Sequence, residues 1–128
     1  MIAVDTSALM AIILREPCAE DCIRALEREA EILLSAGTMA EALIVAARRN
    51  VFKEMVQLID GLDADAVPVT ASVAQRIAGA YARWGRGIHP AALNFGDCFA
   101  YDVATEHSCP LLFVGEDFAK TDVERALA

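Results

Sequence analysis

Met1-Ile-Ala-Val-Asp5-Thr-Ser-Ala-Leu-Met-Ala-Ile-Ile-Leu14 is the stretch that decides the fold. Four apolar residues run straight into a lone carboxylate, and a second apolar run follows. An apolar run this short, with no polar face, reads as a strand buried on both sides. Asp5 can cap a helix that follows it, so Ser7 to Arg15 reads as a helix stopped by Pro17. A buried strand that hands directly to a helix is the opening unit of a parallel α/β sheet.

The rest of the chain repeats that alternation. Ala19 to Ala30 reads as a helix, with Cys22, Ile23 and Leu26 on one side and Glu20, Glu27 and Glu31 on another. Ile32 to Ser35 is a second strand. Thr38 to Arg49 and Val51 to Leu62 are helices, and Gly61 to Asp65 is a turn. Ala66 to Val69 is a third strand, followed by a helix over Ala71 to Trp84. Arg83 to Pro90 is a glycine-rich, positively charged loop. A helix starts at Asn94 and runs to about His107. Pro110 to Val114 is a fourth strand, Gly115 to Lys120 a loop, and Thr121 to Leu127 a short final helix. Short apolar strands between helices predict a parallel sheet covered on both faces, in one domain over residues 1–128. In such sheets ligands bind at the carboxyl ends of the strands.

Composition narrows the function. The chain has 128 residues, 56% hydrophobic and 23% charged, with net charge −8. That excludes a disordered chain, and it argues against a non-specific nucleic-acid coat, which needs a basic face. It leaves room for an enzyme that meets nucleic acid through bound cations. No stretch approaches the ~20 apolar residues of a membrane span, and with no secretion signal read at the start a cytoplasmic protein is expected. Cys18, Cys22, Cys98 and Cys109 are expected as free thiols, since the paired Cys-x-x-Cys spacing of a zinc site is missing.

The acids at strand ends and helix starts carry the chemistry. Asp5 ends the first strand, where a carboxylate is costly unless paired or metal-bound, and where it also fits as a helix cap. Thr38-x-x-Glu41 and Asn94-x-x-Asp97 both match the capping-box spacing. Asp117 follows the fourth strand in Gly-Glu-Asp-Phe, with Glu116 beside it as an alternative. Each has a structural reading alone. Together they bring four carboxylates to one end of the sheet, where they repel unless a cation neutralises them, and oxygen donors suit magnesium or manganese. Thr6, Ser7 and Thr121 are hydroxyls near the same rim, able to orient ligands or to cap. Asp102 lies about 140° around its helix from Asp97 and does not share that face, whereas Tyr101 does.

These residues resemble a known family. Asp5-Thr-Ser-Ala8 after a first strand, Glu41 after Ser-Ala-Gly-Thr-Met-Ala, the run His89-Pro-Ala-Ala-Leu-Asn-Phe-Gly-Asp-Cys-Phe-Ala-Tyr101, and Pro110-Leu-Leu-Phe-Val-Gly-Glu-Asp-Phe-Ala-Lys-Thr-Asp122 are similar to PIN domains over essentially the whole chain. Leu93 to Tyr101 looks most specifically like VapC toxins of bacterial toxin–antitoxin pairs. Related sequences also use a position slightly before Asp117, where this chain has Gly115. The resemblance implies a three-layer α/β/α PIN-like fold with a central, mostly parallel sheet of four or five short strands. It implies a metal-dependent endoribonuclease, with Asp5, Glu41, Asp97 and Asp117 (Glu116 possible) holding one or two Mg²⁺ or Mn²⁺ ions. It also implies a homodimer silenced by a small antitoxin protein.

RNA must be drawn to an acidic protein, and Arg48, Arg49 and Lys53 at one helix junction, Arg83, Arg86 and His89 in the loop, and Lys120 are the contact candidates, with Trp84 and Phe95 able to stack on bases. Solvated charge and core packing are the ordinary alternatives for these groups, and for His89 the alternative is packing in its loop beside Pro90. The high apolar content of Ala19–Ala30 and Thr38–Leu62 predicts a partner surface. Three competitors remain: a catalytically silent binding module of the same fold, a DNA-directed nuclease of the same fold, and a phosphoacceptor receiver domain. The last needs an acceptor Asp after the third strand, and Pro68-Val69-Thr70 supplies none.

Overall fold

The computed structural model describes residues 1–128. In chain order the elements are β1 (Ile2–Val4), α1 (Thr6–Ile13), α2 (Ala19–Glu27), β2 (Ile32–Ser35), α3 (Ala36–Arg48), α4 (Phe52–Leu62), β3 (Asp65–Val67), α5 (Ala71–Trp84), α6 (Phe95–Glu106) and β4 (Leu111–Leu112), then a 3₁₀ turn at Phe118–Lys120. The four strands are all parallel, in the order β3-β2-β1-β4.

Alternate side chains of each strand point to opposite faces. Ile2, Val4, Leu34 and Leu112 pack in one core with residues of α1, α2, α3 and α4. Ala3, Leu33 and Leu111 pack in a second core with residues of α5 and α6. β1, Leu33–Leu34 of β2 and β4 thus need apolar residues at every position and carry no alternation in sequence, whereas the edge strand β3 is largely exposed and starts at Asp65. The result is the expected α/β/α sandwich.

The final helix expected over Thr121 to Leu127 is absent. The segment runs alongside β4 instead. Leu111 donates to the Glu124 carbonyl at 2.9 Å and receives a bond on its own carbonyl from Ala126 at 3.1 Å, forming a parallel bridge with Arg125. The outer edge of β4 would otherwise leave backbone groups unpaired, and satisfying them outweighs the helical propensity of seven residues. β2 has the expected bounds, β4 is confined to Leu111–Leu112, and β3 ends before Pro68, which has no N–H for the ladder.

The chain runs β1 to β2 to β3 in one direction across the sheet, then returns to place β4 on the other side of β1. β1 therefore sits at the point where strand order reverses, and Asp5 follows its carboxyl end. Ligand sites of open α/β sheets form at such points.

Candidate active site

Asp5 is both a helix cap and something more. Its Oδ2 accepts from the Ser7 backbone N–H at 3.0 Å and the Ser7 hydroxyl at 2.6 Å, while its own N–H donates to the Leu112 carbonyl. The residue is 3% exposed, and Oδ1 is buried with no hydrogen-bond partner. Burial pushes the carboxyl up to about 7, against the lowering effect of the Ser7 bonds, and the negative charges of Asp97 and Glu41 push in the same direction. Capping occupies one oxygen and leaves the other unmatched. Ser7 also ties this corner to the end of β4, accepting the Val114 N–H at 3.0 Å.

Glu41 reaches the same place by a route the sequence did not indicate. The Thr38-x-x-Glu41 capping box does not form. α3 starts earlier, capped by Ser35, whose hydroxyl accepts the Gly37 N–H at 3.1 Å. Ser35 is both the last residue of β2 and the cap, so no turn separates strand from helix. Thr38 falls inside the first turn, fully buried, with its hydroxyl unpartnered. Glu41 lies in the second turn, beyond the positive end of the helix, so the dipole does not hold its charge. The Thr6 hydroxyl holds it, donating to Oε1 at 2.6 Å. α3 and α6 pack closely enough that a β-carbon at Gly96 would overlap the Glu41 carboxylate, and one at Gly37 would overlap the Phe99 ring.

The second capping box forms as expected. Asn94 Oδ1 accepts the Asp97 N–H at 2.8 Å, and Asp97 Oδ2 accepts the Asn94 N–H at 2.9 Å. Burial is the main reason the Asp97 carboxyl is pushed up to about 6. The Asn94 bond opposes that, Glu41 and Asp117 add to it, and Arg86 counteracts it. Asp117 is exposed just before the 3₁₀ turn. Glu116 lines a different hollow with Arg24, Arg28 and Arg125. Of the two adjacent acids, Asp117 is the one whose charge is felt at Asp97.

The supporting candidates separate in the same way. Thr6 and Ser7 bond directly to the acids. The Thr121 hydroxyl donates to the Phe118 carbonyl at 2.7 Å and accepts the Val123 N–H, so it closes a local turn. Arg83 lies in α5, its guanidinium 4.4 Å from the centroid of the Trp84 ring and 3.5 Å from Asp122. His89 Nδ1 accepts the Ala91 N–H at 3.0 Å, and its ring sits edge-on to Trp84. Trp84 is buried, donating to the Tyr101 hydroxyl at 2.9 Å, and is not available to stack on a base. Phe95 and Lys120 are exposed.

Sequence reasoning missed the residues that set these positions. Tyr101, on the Asp97 face of α6, donates to Asp122 at 2.7 Å and so joins α5, α6 and the C-terminal segment. Gly96 gave no signal, since a glycine in a helix looks ordinary until the neighbouring helix is placed.

The donor set fits a hard divalent cation in its chemistry: carboxylate oxygens only, one of them buried and unpartnered, with two carboxyl groups pushed up in part by mutual repulsion. No three acid, histidine or cysteine side chains close into a ready-made ion cage. The four thiols are unpaired, and no helix is long and apolar enough to cross a membrane.

The PIN-domain family model matches residues 2–124. Ribonuclease VapC30 of Mycobacterium tuberculosis is 40% identical over 123 residues, covering 94% of each chain. The crystal structure of M. tuberculosis VapC20, described as a sarcin-ricin loop cleaving toxin, covers both chains fully with TM-score 0.80 at 14% identity. A toxin–antitoxin complex from Klebsiella pneumoniae aligns over 95% of this chain and 93% of that one, with TM-score 0.69 at 16% identity. The fold, the arrangement of acids and these likenesses agree, and the chain belongs to the PIN-domain family.

Proposed function

We propose that this protein is a divalent-metal-dependent endoribonuclease, the toxin of a toxin–antitoxin pair. The observation that carries the reading is the grouping of Asp5, Glu41, Asp97 and Asp117, with Asp5 Oδ1 buried and unmatched. Its support from relatives is their name as VapC ribonucleases and the toxin–antitoxin setting of a structural neighbour.

Asp5, Glu41 and Asp97 would hold one or two Mg²⁺ or Mn²⁺ ions, with Asp117 at the open edge. When bound, such ions acidify a water to serve as nucleophile and offset charge on the phosphate and the leaving oxygen. The chain's own residues do the positioning. Ser7 fixes Asp5 from two sides, Thr6 fixes Glu41, and the Asn94 box fixes Asp97. The elevated Asp5 and Asp97 groups retain protons more readily than ordinary carboxyls, and each must shed its proton to act as a ligand. Arg86, whose charge reaches Asp97, and exposed Lys120 are the basic groups best placed for RNA. Arg83 and His89 would contribute through the loop they brace.

Exposed Ile23, Ile44 and Phe52 on α2, α3 and α4 support an apolar partner surface, for a second copy of the chain and for a small antitoxin in the cytoplasm. Light scattering at micromolar concentration reads the dimer directly.

The deciding experiment is cleavage of total RNA with Mg²⁺ or Mn²⁺, beside an Asp97→Asn control. Discrete fragments from the wild type alone are expected. Equal behaviour of the two proteins, with no cation binding by calorimetry, would replace the enzyme with a silent binding module.

A further inference from the structure

Between α5 and the start of α6 lies a groove of about 570 Å³, lined chiefly by Ile77, Ala78 and Tyr81 on one side and by Arg86, Asn94 and Phe95 on the other. Phe95 is 67% exposed. An aromatic ring so open to water, in a chain with few aromatics, has no role in either core. It is nevertheless held in place. Phe99 meets it edge-on, with ring centroids 5.0 Å apart, and Phe99 is itself wedged against Gly37. The opposite wall carries Tyr81, 37% exposed, whose ring lies so close to Gly85 that a β-carbon there would be 2.8 Å from it.

The groove borders the acidic site at Arg86 and Asn94. Asn94 donates its backbone N–H to Asp97 Oδ2, and the Arg86 charge acts on Asp97. The slot therefore has apolar and aromatic walls and one guanidinium, and its Asn94 end adjoins Asp97. Its volume lies in the range of small-ligand sites rather than of a helix-binding trough.

We infer that this groove receives one unpaired nucleobase of the RNA next to the phosphodiester that is cut, stacked on Phe95 and Tyr81, with Arg86 on the connecting phosphate. This rests on the ribonuclease reading above. Every base has a stackable face, so the subsite tolerates sequence. It demands a base free of its partner, and so selects loops and single strands over helical RNA.

The test uses a mixed pool of 12-nucleotide single-stranded RNAs, the same sequences as duplexes, and the wild-type, Phe95→Ala, Phe95→Trp and Asp97→Asn proteins. Loss of one stacked base weakens binding by about 5- to 150-fold. Phe95→Ala is expected to raise KM on the single strands by that factor with unchanged melting temperature, and Phe95→Trp to restore it. Asp97→Asn serves as the cleavage-dead control, and the duplexes are expected to be poor substrates. Wild-type KM and fragment ends for Phe95→Ala would overturn the subsite and leave the ribonuclease intact. A change from dimer to monomer in Phe95→Ala would assign the groove to a second copy and also overturn it. Absence of RNA binding and cleavage by the wild type would overturn both readings together.

Discussion

Gly96 and Glu41 share a space that only a hydrogen can occupy. A β-carbon on Gly96 would overlap the Glu41 carboxylate, while Thr6 holds that carboxylate from the other side at 2.6 Å. The α3–α6 approach thus brings Glu41 up to the first turn of the helix that carries Asp97. Gly96→Ala has a split outcome. The obstructing atoms are the far end of a flexible side chain, so the fold tolerates the change, and alanine gains up to about 1 kcal/mol over glycine in a helix. Glu41, however, must swing out. Melting temperature is expected to hold or rise while RNA cleavage falls on the order of 100-fold, the scale of a 1 Å misplacement. Wild-type cleavage by a folded Gly96→Ala protein would show that Glu41 does not need this position.

Stability should fall with rising pH in the metal-free protein. Asp5 is pushed from 3.8 up to about 7 and Asp97 from 3.8 up to about 6, burial being the main cause in each. A carboxyl raised on folding binds more protons folded than unfolded across that interval. Its folded state is therefore most favoured below about 4, and the advantage is lost as pH climbs to 7. With EDTA present, the melting temperature at pH 5 is expected to exceed that at pH 8, by on the order of 1–3 kcal/mol of stability. Asp5→Asn should flatten the slope, and Mg²⁺ at pH 8 should recover the loss by binding the folded state. A melting temperature that is level or rises from pH 5 to pH 8 would contradict the burial of these two carboxyls in the folded protein.

Two buried threonine hydroxyls, 32 positions apart, make opposite predictions. Thr6 donates to Glu41, whereas the Thr38 hydroxyl is buried with no partner. Thr6→Val removes the only hydroxyl fixing Glu41, so cleavage should fall roughly tenfold, the weight of a charge-assisted hydrogen bond. Thr38→Val replaces an unsatisfied hydroxyl by a methyl of the same shape, so the protein should melt higher by about 1 kcal/mol with activity unchanged. Paired thermal scans and cleavage assays read both. A loss of activity in Thr38→Val would mean that its hydroxyl serves the site.

The sequence carried the fold well because parallel strands covered on both faces must be apolar throughout, and each was bounded by Asp, Ser or Pro. It carried Asp97 well because the capping box is local. It misplaced the start of α3 because Ser35, read as the end of a strand, also caps the helix that follows. It made a helix of Thr121–Leu127 because nothing local says that β4 needs another edge partner. It offered Trp84 and Phe95 alike as stacking residues, and only the position of Tyr101 separates the buried ring from the exposed one. Contacts between distant elements, such as Gly96 with Glu41, leave no pattern in a single chain.

Asp102 shows how an acid can be buried without belonging to the site. It is 5% exposed on α6, turned away from Asp97, and Arg76 of α5 bonds both of its oxygens, at 2.7 and 3.2 Å. Glu106 adds a longer contact to the same guanidinium. The pair fastens α5 to α6. Arg76→Ala leaves a buried carboxylate uncompensated. A wholly buried pair broken this way costs about 3–5 kcal/mol. The Arg76 side chain is partly exposed, so water can reach the vacated position, and a smaller fall in melting temperature is expected. Arg76→Ala with Asp102→Ala should recover part of that loss, because the charge that lacked a partner is gone. Cleavage per folded molecule should stay near wild type at temperatures well below melting. A single mutant as stable as the wild type would mean that the ion pair is a surface contact, and that apolar packing alone holds the two helices.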